Sequence, residues 1–404
     1  EQRDDHAALT VDTPDGPYTL TADHVVACDG SRSTVRKLLG HESRGRTFKD
    51  RFLIADVRMK AAFPAERWFW FDPPFHPGQS VLLHRQPDGV WRIDFQLGWD
   101  ADPEVEKQPE RILPRVRALM AQASRAAGGD AEVPEIELVW ASVYTFACMR
   151  MDHFRLGRVL FAGDSAHGVS PFGARGANSG VQDAENLAWK LAWVLNGAAP
   201  DQLLDTYARE REQAADENIR HSSRSTDFIT PKSEISRVFR DATLSLAKDV
   251  EFARRLVNSG RLSVPTALQG SALNTPDDAD WTGALRPGAP APDAPLRVDG
   301  RDDWLLRQAR PGRFTALVFA GDGEEAARAA IHRAFDGFPA PVVLTIRPDD
   351  DIDGLIQARH DGRPGSAVLL RPDQHVCARW RAPTPQGVRE ALQRALAIEA
   401  AACR

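Results

Sequence analysis

The amino-acid sequence predicts an α/β fold interrupted by an antiparallel sheet, and three patterns support this. An apolar strand, a loop of small residues and a helix follow one another near residues 24–40 and again at 157–197. Between these two units, from about residue 52, apolar and polar residues alternate with the period of two typical of a half-buried strand. Beyond residue 313, strands and helices alternate again. Strands that alternate with helices favour a parallel sheet, whereas period-two strands favour an antiparallel one.

Composition limits the classes of function. The 404 residues are enough for two or three domains, each with its own core. The net charge of −6 argues against a nucleic-acid or anionic-membrane partner, because no excess of cations exists to neutralise phosphate. No apolar run of transmembrane length is found. The cysteines form no CxxC pair, so we expect neither a metal site nor a disulfide framework, as suits a reducing cytoplasm. They are Cys28, Cys148, Cys377 and Cys403.

The first strand–loop–helix unit is "HVVACDGSRSTVRKLLG", preceded by a hairpin with its turn at "TPDG". Ser31 or Ser33 is the predicted N-cap of the helix, and Gly40 is its predicted end. The middle stretch contains a second hairpin, in which "QPDG" joins "SVLLHR" to "VWRIDFQL". Apolar residues of the second strand occupy one face, so a one-sided antiparallel sheet is predicted.

Polar residues occupy the other face of that predicted sheet. His84 and Arg92, with Asp94 and Gln96, have two interpretations: the wall of a polar substrate pocket, or a solvated face. Alternation of apolar and polar residues is expected for any sheet with one solvent-exposed face, so the solvated face is the simpler interpretation.

The second unit, "GRVLFAGDSAHGVSPFGARGANSG" (157–180), has the composition of a ligand-binding loop. Asp164 follows a strand, at the edge where open α/β sheets place their ligand. Gly173 and Gly176 let the backbone approach a ligand closely, and the next helix directs unpaired N–H groups and its positive dipole end toward it. These features favour a planar, carbonyl-bearing ring. Spacing alone leaves open a tight turn in which Asp164 only caps the helix.

The last part of the chain predicts a separate α/β unit. Residues 259–293 form a Pro- and Gly-rich connector without periodicity, which indicates a domain boundary. The unit beyond it has no cysteine pair, so we expect it to pack against the core or a partner subunit and to carry out no redox chemistry.

Two stretches resemble motifs of one family. "RVLFAGDSAH" with "PFGARGANSGVQDAENLAWKLAWVL" resembles the second flavin-contacting motif of the single-component FAD-dependent aromatic hydroxylases, and "VVACDGSRSTVRKLLG" resembles their Asp-Gly motif. The connector "LRPGAPAPDAPL" and the stretch "LLRPDQHVCARW" resemble the thioredoxin-like tail of the phenol and 3-(3-hydroxyphenyl)propionate hydroxylase branch. The resemblance covers nearly the whole chain.

The resemblance implies that the ligand of the loop is FAD. Asp164 would bond the ribityl chain, Pro171 would border the isoalloxazine, and Arg36 would be a supporting cation. The helix beyond Asn178 would stabilise the negative charge of reduced flavin. The implied cofactor-binding residues are Asp29, Gly30, Arg36, Gly163, Asp164, Pro171, Gly173, Gly176, Ala177 and Asn178. The candidate substrate-lining residues are His84, Arg92 and His167, and no catalytic side chain or metal ligand is implied.

The sequence departs from the family pattern in two places. Ala174-Arg175-Gly176 stands where the family usually has Gly-Gln-Gly, so a cation lies near the expected flavin position. The glycine-rich strand–GxGxxG–helix that cradles the ADP half of FAD is not found, and the chain begins at Glu1 as if within a sheet. We therefore expect that a preceding segment exists.

The implied function is hydroxylation of a small phenolic or related aromatic substrate by an FAD-dependent monooxygenase that uses NADH or NADPH and O₂. The implied architecture is a partial FAD-binding Rossmann-like domain with an inserted antiparallel-sheet substrate domain, plus a C-terminal thioredoxin-like domain. The predicted parts are 1–50 and 148–258 for FAD binding, 51–147 for substrate, 259–293 as linker and 294–404 as the thioredoxin-like domain. A flavin-dependent oxidoreductase without oxygen insertion and a non-catalytic remnant unable to hold FAD are the alternatives. A homodimer is one oligomeric state that the sequence allows.

Overall fold

The computed structural model describes residues 1–61, 64, 66–126, 135–257, 265–277 and 280–398, so part of the predicted 259–293 linker and Cys403 lie outside the described residues. Within them, the strands are β1 (Ala7–Val11), β2 (Tyr18–Ala22), β3 (Val25–Ala27), β4 (Ser43–Met59), β5 (Arg67–Phe71), β6 (Ser80–Arg85), β7 (Val90–Leu97), β8 (Ile136–Met151), β9 (Arg155–Leu156), β10 (Val159–Phe161), β11 (His167–Gly168), β12 (Pro295–Val298), β13 (Arg301–Trp304), β14 (Thr315–Phe319), β15 (Val342–Ile346), β16 (Ala367–Leu370) and β17 (Val376–Trp380). The helices are α1 (Thr34–Leu38), α2 (Pro103–Glu106), α3 (Pro109–Ala126), α4 (Gly176–Leu195), α5 (Leu203–Ile229), α6 (Glu234–Leu246), α7 (Glu251–Val257), α8 (Glu324–Ala334), α9 (Leu355–His360) and α10 (Pro385–Ala395).

A small sheet carries both strand–loop–helix units. Strand β3 pairs in parallel with β10, and β9 pairs antiparallel to β10 on its other side. Phe161 of β10, Leu187 of α4 and Tyr207 of α5 are buried together beneath this sheet. The predicted hairpin of β1 and β2 is confirmed, and Ser33 is the N-cap of α1, since its side chain accepts the backbone N–H of Arg36.

A six-stranded antiparallel sheet in the order β11-β8-β4-β7-β6-β5 forms the middle of the molecule. Helix α3 covers one face, where Leu53, Ile93 and Val116 are fully buried, as the period-two pattern requires. The predicted hairpin of β6 and β7 is confirmed. The predicted boundaries at 50/51 and 147/148 fall inside β4 and β8, because these strands pair from Ser43 opposite Met151 as far as Met59 opposite Ile136.

The C-terminal unit is a four-stranded sheet in the order β15-β14-β16-β17, in which only β14 and β15 are parallel. Its packing against the rest of the chain confirms one of the two alternatives expected from the sequence. The rings of Trp189 and Trp193 in α4 lie 6.0 and 5.5 Å from that of Phe314.

A buried ion cluster joins the same two parts of the molecule. Glu210 of α5 accepts hydrogen bonds from Lys190 of α4 and from Arg371 after β16, and Arg371 also pairs with Asp373. We call these four residues the ion cluster. Among the described helices, none is both long and apolar enough to cross a membrane.

Candidate active site

The two predicted motifs lie side by side at one edge of the small sheet. Because β3 and β10 are parallel neighbours, the loops that follow them leave from the same edge. The backbone N–H of Ala162 donates to the carbonyl of Ala27 at 3.1 Å, and the Ser165 hydroxyl donates to the same carbonyl at 2.6 Å. We call the space beyond these strand ends, bordered by the two loops and the start of α4, the crevice.

The first loop is held in place by Asp29. Its carboxylate accepts the backbone N–H of Val35 at 3.0 Å. Burial alone would raise the pKa of Asp29, but hydrogen bonds from Ser33 and from nearby backbone N–H groups outweigh burial and hold the pKa below its usual value. Gly30 adopts a φ of +80°, which a residue with a side chain rarely takes. The carboxylate is therefore ionised and fixed beside the crevice.

Arg36 joins the two loops, and its role as a supporting cation for FAD stays a prediction. Its guanidinium is buried and donates to the carbonyl of Ser165 at 2.5 Å and to that of Ser31 at 2.6 Å. Both contacts are to loop backbone. Arg36 therefore positions the loops relative to each other.

The second loop exposes Asp164 and anchors the residue before it. Asp164 is exposed, whereas its neighbour Ser165 is fully buried. Gly163 has a φ of +63°, and its backbone N–H donates to the carboxylate of Asp183 in α4 at 2.9 Å. A Cβ on Gly180 would lie 3.5 Å from the Gly163 Cα, so the loop and the helix are in van der Waals reach of each other here. The glycines thus allow the loop and α4 to touch.

Asp183 is a site residue that sequence reasoning missed. Its carboxylate is fully buried and also accepts hydrogen bonds from His167 and Arg211, both at 2.6 Å. Burial alone would raise its pKa, but the hydrogen bond and charge of His167, together with Arg211, outweigh burial and lower it. A signal was present: Asp183, Asn186 and Lys190 form a polar stripe at helical spacing, and all three are buried.

His167 was expected to line the substrate site, but the structure places it behind the loop. The imidazole is 2% exposed, is bonded to Asp183, and stacks on Phe154 at 5.6 Å between ring centroids. The position corrects the prediction, because the side chain faces away from the crevice and into the core.

Helix α4 begins before Asn178, whereas the sequence predicted a start beyond it. The helix begins at Gly176, so Gly176, Ala177 and Asn178 are its first turn, and no side chain caps it. Pro171, Ala177 and Asn178 are exposed. Uncapped N–H groups and the helix dipole favour a ligand with negative charge at this point.

The departure from the family pattern at Ala174-Arg175 has a structural outcome. Ala174 has a φ of +51°, a left-handed conformation that costs a residue with a Cβ about 1–2 kcal/mol. Arg175 extends toward α5, where its guanidinium donates to the Asn218 side chain at 2.9 Å. Arg175 therefore lies next to the loop but does not place its positive charge in the crevice.

Helix α5 fixes the loop from behind. The Ser222 hydroxyl donates to the carbonyl of Ser170 at 2.9 Å and to that of Phe172 at 3.3 Å, on either side of Pro171. Phe172 packs against Phe52 of β4 at 5.3 Å and against Phe146 of β8 at 5.6 Å. The loop therefore lies directly against the face of the six-stranded sheet that α3 leaves uncovered.

The predicted substrate residues His84 and Arg92 lie on this uncovered face, directly opposite each other on β6 and β7. Arg92 makes two hydrogen bonds of 2.8 Å to Asp56, so its charge is already paired. His84 is half-buried, and burial lowers its pKa, with the charges of Arg67 and Arg92 adding to the effect. Both side chains are partly exposed, and their role in a pocket wall stays a prediction.

Comparison with known proteins defines the class. Residues 1–222 match the family described as FAD binding domain, and residues 284–398 match the family described as aromatic-ring hydroxylase, C-terminal. The chain therefore belongs to the FAD-dependent aromatic-ring hydroxylases, which are oxidoreductases of the monooxygenase type. NAD(P)H is the typical co-substrate of this family.

Two relatives illustrate its range. A 3-(3-hydroxy-phenyl)propionate/3-hydroxycinnamic acid hydroxylase of Mycolicibacterium smegmatis is 29% identical over 402 residues, which are 92% of this chain and 66% of the relative. A 6-methylpretetramide 4-monooxygenase of Streptomyces rimosus is 32% identical over 381 residues, which are 89% of this chain and 64% of the relative. The chain thus spans about two thirds of the length of each.

Solved structures are similar over almost the whole chain. CabE, an aromatic hydroxylase from angucycline biosynthesis, has a TM-score of 0.66 at 29% identity, covering 98% of this chain and 74% of that one. The rebeccamycin biosynthetic enzyme RebC with reduced flavin has a TM-score of 0.67 at 27% identity, covering 99% and 73%. The monooxygenase PieE, in complex with FAD and substrate, has a TM-score of 0.73 at 23% identity, covers 99% of this chain and 75% of that one, and is similar in fold.

The residues at the crevice fit the flavin part of FAD. The loop and helix that border the crevice carry an exposed carboxylate (Asp164), an uncapped helix start (Ala177, Asn178) and close-packed glycines. A carboxylate accepts hydrogen bonds from sugar hydroxyls, and a helix start stabilises negative charge. The donor set therefore suits a polyol chain joined to an electron-rich ring.

Proposed function

We propose that this protein hydroxylates a phenolic aromatic substrate as an FAD-dependent monooxygenase, using NAD(P)H and O₂. The observation that carries the proposal is the junction of the crevice with the uncovered, aromatic-rich sheet face at Phe172. This junction puts a flavin-type site and a surface for an aromatic ring next to each other. The chemistry that FAD supplies when bound is the use of NAD(P)H electrons to activate O₂, with one oxygen atom entering the ring and the other leaving as water.

The side chains of this chain would bind and orient. Asp164 would accept hydroxyl groups of the ribityl chain, and the N–H groups of the first turn of α4 would face the electron-rich edge of the ring. Asp29, Gly30, Gly163, Pro171, Gly173 and Gly176 keep their predicted cofactor-binding roles in this proposal. Phe52, Phe146 and Phe172 would exclude water beside the reacting ring.

We also infer that residues 294–404 form a thioredoxin-like domain without redox activity. The order β15-β14-β16-β17 with helices α8 and α10 supports the first part. Burial raises the pKa of Cys377 to about 12, which supports the second, because a neutral thiol is a poor nucleophile. The division of the chain into parts and the homodimer stay predictions.

Flavin binding and product analysis test the proposed function. The purified protein is titrated with FAD while flavin fluorescence is followed, and NAD(P)H consumption is then measured with a panel of phenols under isotopically labelled O₂. Labelled hydroxylated product in proportion to NAD(P)H consumed supports the proposal. NAD(P)H oxidation without labelled product favours an oxidoreductase that inserts no oxygen. Failure to take up FAD favours the non-catalytic alternative.

A further inference from the structure

The face of the six-stranded sheet opposite α3 carries groups that the flavin site does not use. We call it the open face. Trp140 and Tyr144 of β8 lie on it and are 42% and 45% exposed, although their neighbours across the sheet are Asp56 and Phe52. Exposed aromatic rings beside an aromatic-lined site suit a planar ligand that stacks on them. On its central strands the open face includes Ile54, Asp56, Leu82, His84, Arg92 and Asp94.

Asp94 lies on the open face one step beyond Gln96, which contacts the ion pair of Asp50 and Lys232. Its strand neighbours in register are Ile54 and Leu82, both apolar. It lies two residues from Gln96, which pairs with Phe52, and so about 7 Å along the strand from the Phe52–Phe172 contact. Its Oδ1 atom is buried and has no hydrogen-bond partner among the described residues. A buried carboxylate oxygen without a partner is costly, which indicates a partner supplied by a ligand.

His84 offers a second unused atom close to Asp94. His84 is opposite Arg92, so it is diagonal to Asp94, at about 7–8 Å between Cα atoms. Its Nε2 lies 2.7 Å from the Gln86 side-chain nitrogen, and its Nδ1 is buried without a partner among the described residues. With Gln86 as the donor, Nδ1 carries the proton and is free to donate. On the open face, the Asp94 carboxylate can thus accept a hydrogen bond from a ligand, and the Nδ1–H of His84 can donate one.

The other charged groups near Asp94 do not provide a site for an anion. Arg92 is paired with Asp56, and its guanidinium lies over the Trp140 ring at 5.9 Å. Arg67 is exposed, on β5 opposite His84 and at the far side of it from Asp94. Lys232, nearer the Phe172 end, is paired with Asp50. A ligand that extends from that end meets the carboxylate of Asp94 before it meets Arg92 or Arg67.

We propose that Asp94 determines specificity, by binding a hydroxyl group of an extended neutral phenol together with His84 and by excluding aromatic carboxylates. This rests on the proposed function and deepens it, because it selects among phenols by charge. From Phe52 to Asp56 the open face is about 13 Å long, which favours fused rings over a single ring. The anionic carboxyl repels a like charge beside it, and it accepts the proton of a hydroxyl group as a hydrogen bond.

The test compares two probes with one scaffold and different charge, 6-hydroxy-2-naphthamide and 6-hydroxy-2-naphthoate. Their dissociation constants are measured through naphthol fluorescence on the full protein as purified, with its flavin content recorded. At pH 8 we expect the amide to bind about tenfold more tightly than the carboxylate. Asp94→Asn should bring this ratio close to one, and Asp88→Asn, which removes an exposed charge from the β6–β7 turn, should leave it unchanged.

Each outcome decides the inference separately from the function. Equal binding of both probes by the wild-type protein, or an unchanged ratio in a folded Asp94→Asn variant, overturns it even if FAD is bound and phenols are hydroxylated. A ratio of dissociation constants that changes in the Asp94→Asn variant supports the inference, even if the protein inserts no oxygen. Thermal unfolding and circular dichroism of each variant show that it is folded. As the pH falls to 5.5, the ratio should shrink as Asp94 takes up a proton, with Arg92, Arg67, Asp56 and His84 as the ionisable neighbours.

Discussion

The buried carboxylate of Asp183 accepts the backbone N–H of Gly163, the residue directly before the exposed Asp164. One aspartate thereby sets the position of the other. The same carboxylate is held by His167 and Arg211, so it cannot rotate away from the loop without breaking two further bonds. The second loop is therefore positioned from within α4, and its outward-facing carboxylate is preorganised for a ligand.

We expect Asp183→Asn to weaken FAD binding and to destabilise the protein. The substitution leaves the buried Arg211 without its counter-charge, and breaking one side of a buried ion pair costs about 3–5 kcal/mol. Chemical unfolding measures the loss of stability, and an FAD titration at a temperature where both proteins are folded measures affinity. Asp152→Asn, at an exposed ion pair with Arg44, is the matched control. A stability loss with unchanged FAD affinity would show that Asp183 supports the core only.

Ala174→Gly should stabilise the protein by up to about 1.5 kcal/mol. Glycine removes the cost of about 1–2 kcal/mol for a left-handed alanine but loses roughly 0.4–1 kcal/mol through the greater freedom of the unfolded chain. The midpoint of urea unfolding measures the balance. Ala177→Gly, in the first turn of α4, is the control and should be neutral or destabilising. A lower midpoint for Ala174→Gly would contradict the strain assigned to this loop.

Asp94→Asn should stabilise the protein at pH 8 while it removes charge selection. Burial raises the pKa of Asp94 from its usual 3.8 to about 6, although Arg92 and Arg67 oppose the change. Between these two pH values the unfolded state has already lost the proton that the folded state keeps, so wild-type stability falls as the pH rises through this window. The Asp94→Asn variant has no carboxyl to titrate here, so its stability does not fall in this pH window. It should be more stable than the wild type by about 1–3 kcal/mol at pH 8.

A comparison with Asp56, the neighbouring carboxylate on the open face, tests whether Asp94 is the group that titrates. Asp56→Asn removes the counter-charge of Arg92 and one of its two hydrogen-bond acceptors, and should destabilise the protein at every pH between 5 and 8. Unfolding curves at pH 5 and pH 8 for both variants make the comparison. Parallel pH profiles for Asp94→Asn and the wild type would rule out a titrating carboxyl at this position.

The sequence predicted the parts of the site that depend on local rules. Period-two alternation placed the hairpin of β6 and β7, and the two motif loops are at the ends of adjacent parallel strands as strand–loop–helix units require. What the sequence could not predict depends on residues far apart in the chain. Arg36 meets the backbone of Ser165 only because β3 and β10 pair, so its role as a link between loops has no local signal.

Contacts between residues far apart in the chain also decide which part of the open face is covered. Alternation showed that Arg92 and Asp94 share a side of β7, but it did not show what covers that side. The covering elements are the loop at Phe172 and the end of α5, which follow it by more than 70 residues. The exposure of Trp140 and Tyr144 also depends on β8 lying next to β4, a pairing across about 90 residues.

Arg371→Met should destabilise the protein strongly through the ion cluster. Arg371 is fully buried and bonds both Glu210 and Asp373 at 2.6 Å, so its removal leaves two carboxylates with Lys190 as the remaining cation of the cluster. A loss of about 3–5 kcal/mol is expected, compared with about 0.5 kcal/mol or less for the exposed Arg394→Met. Since Glu210 belongs to α5 and Arg371 to the C-terminal unit, the loss should also speed proteolysis in the connecting segment. Equal stability of the two variants would mean that the packing of Trp189 and Trp193 on Phe314 suffices to join the two parts.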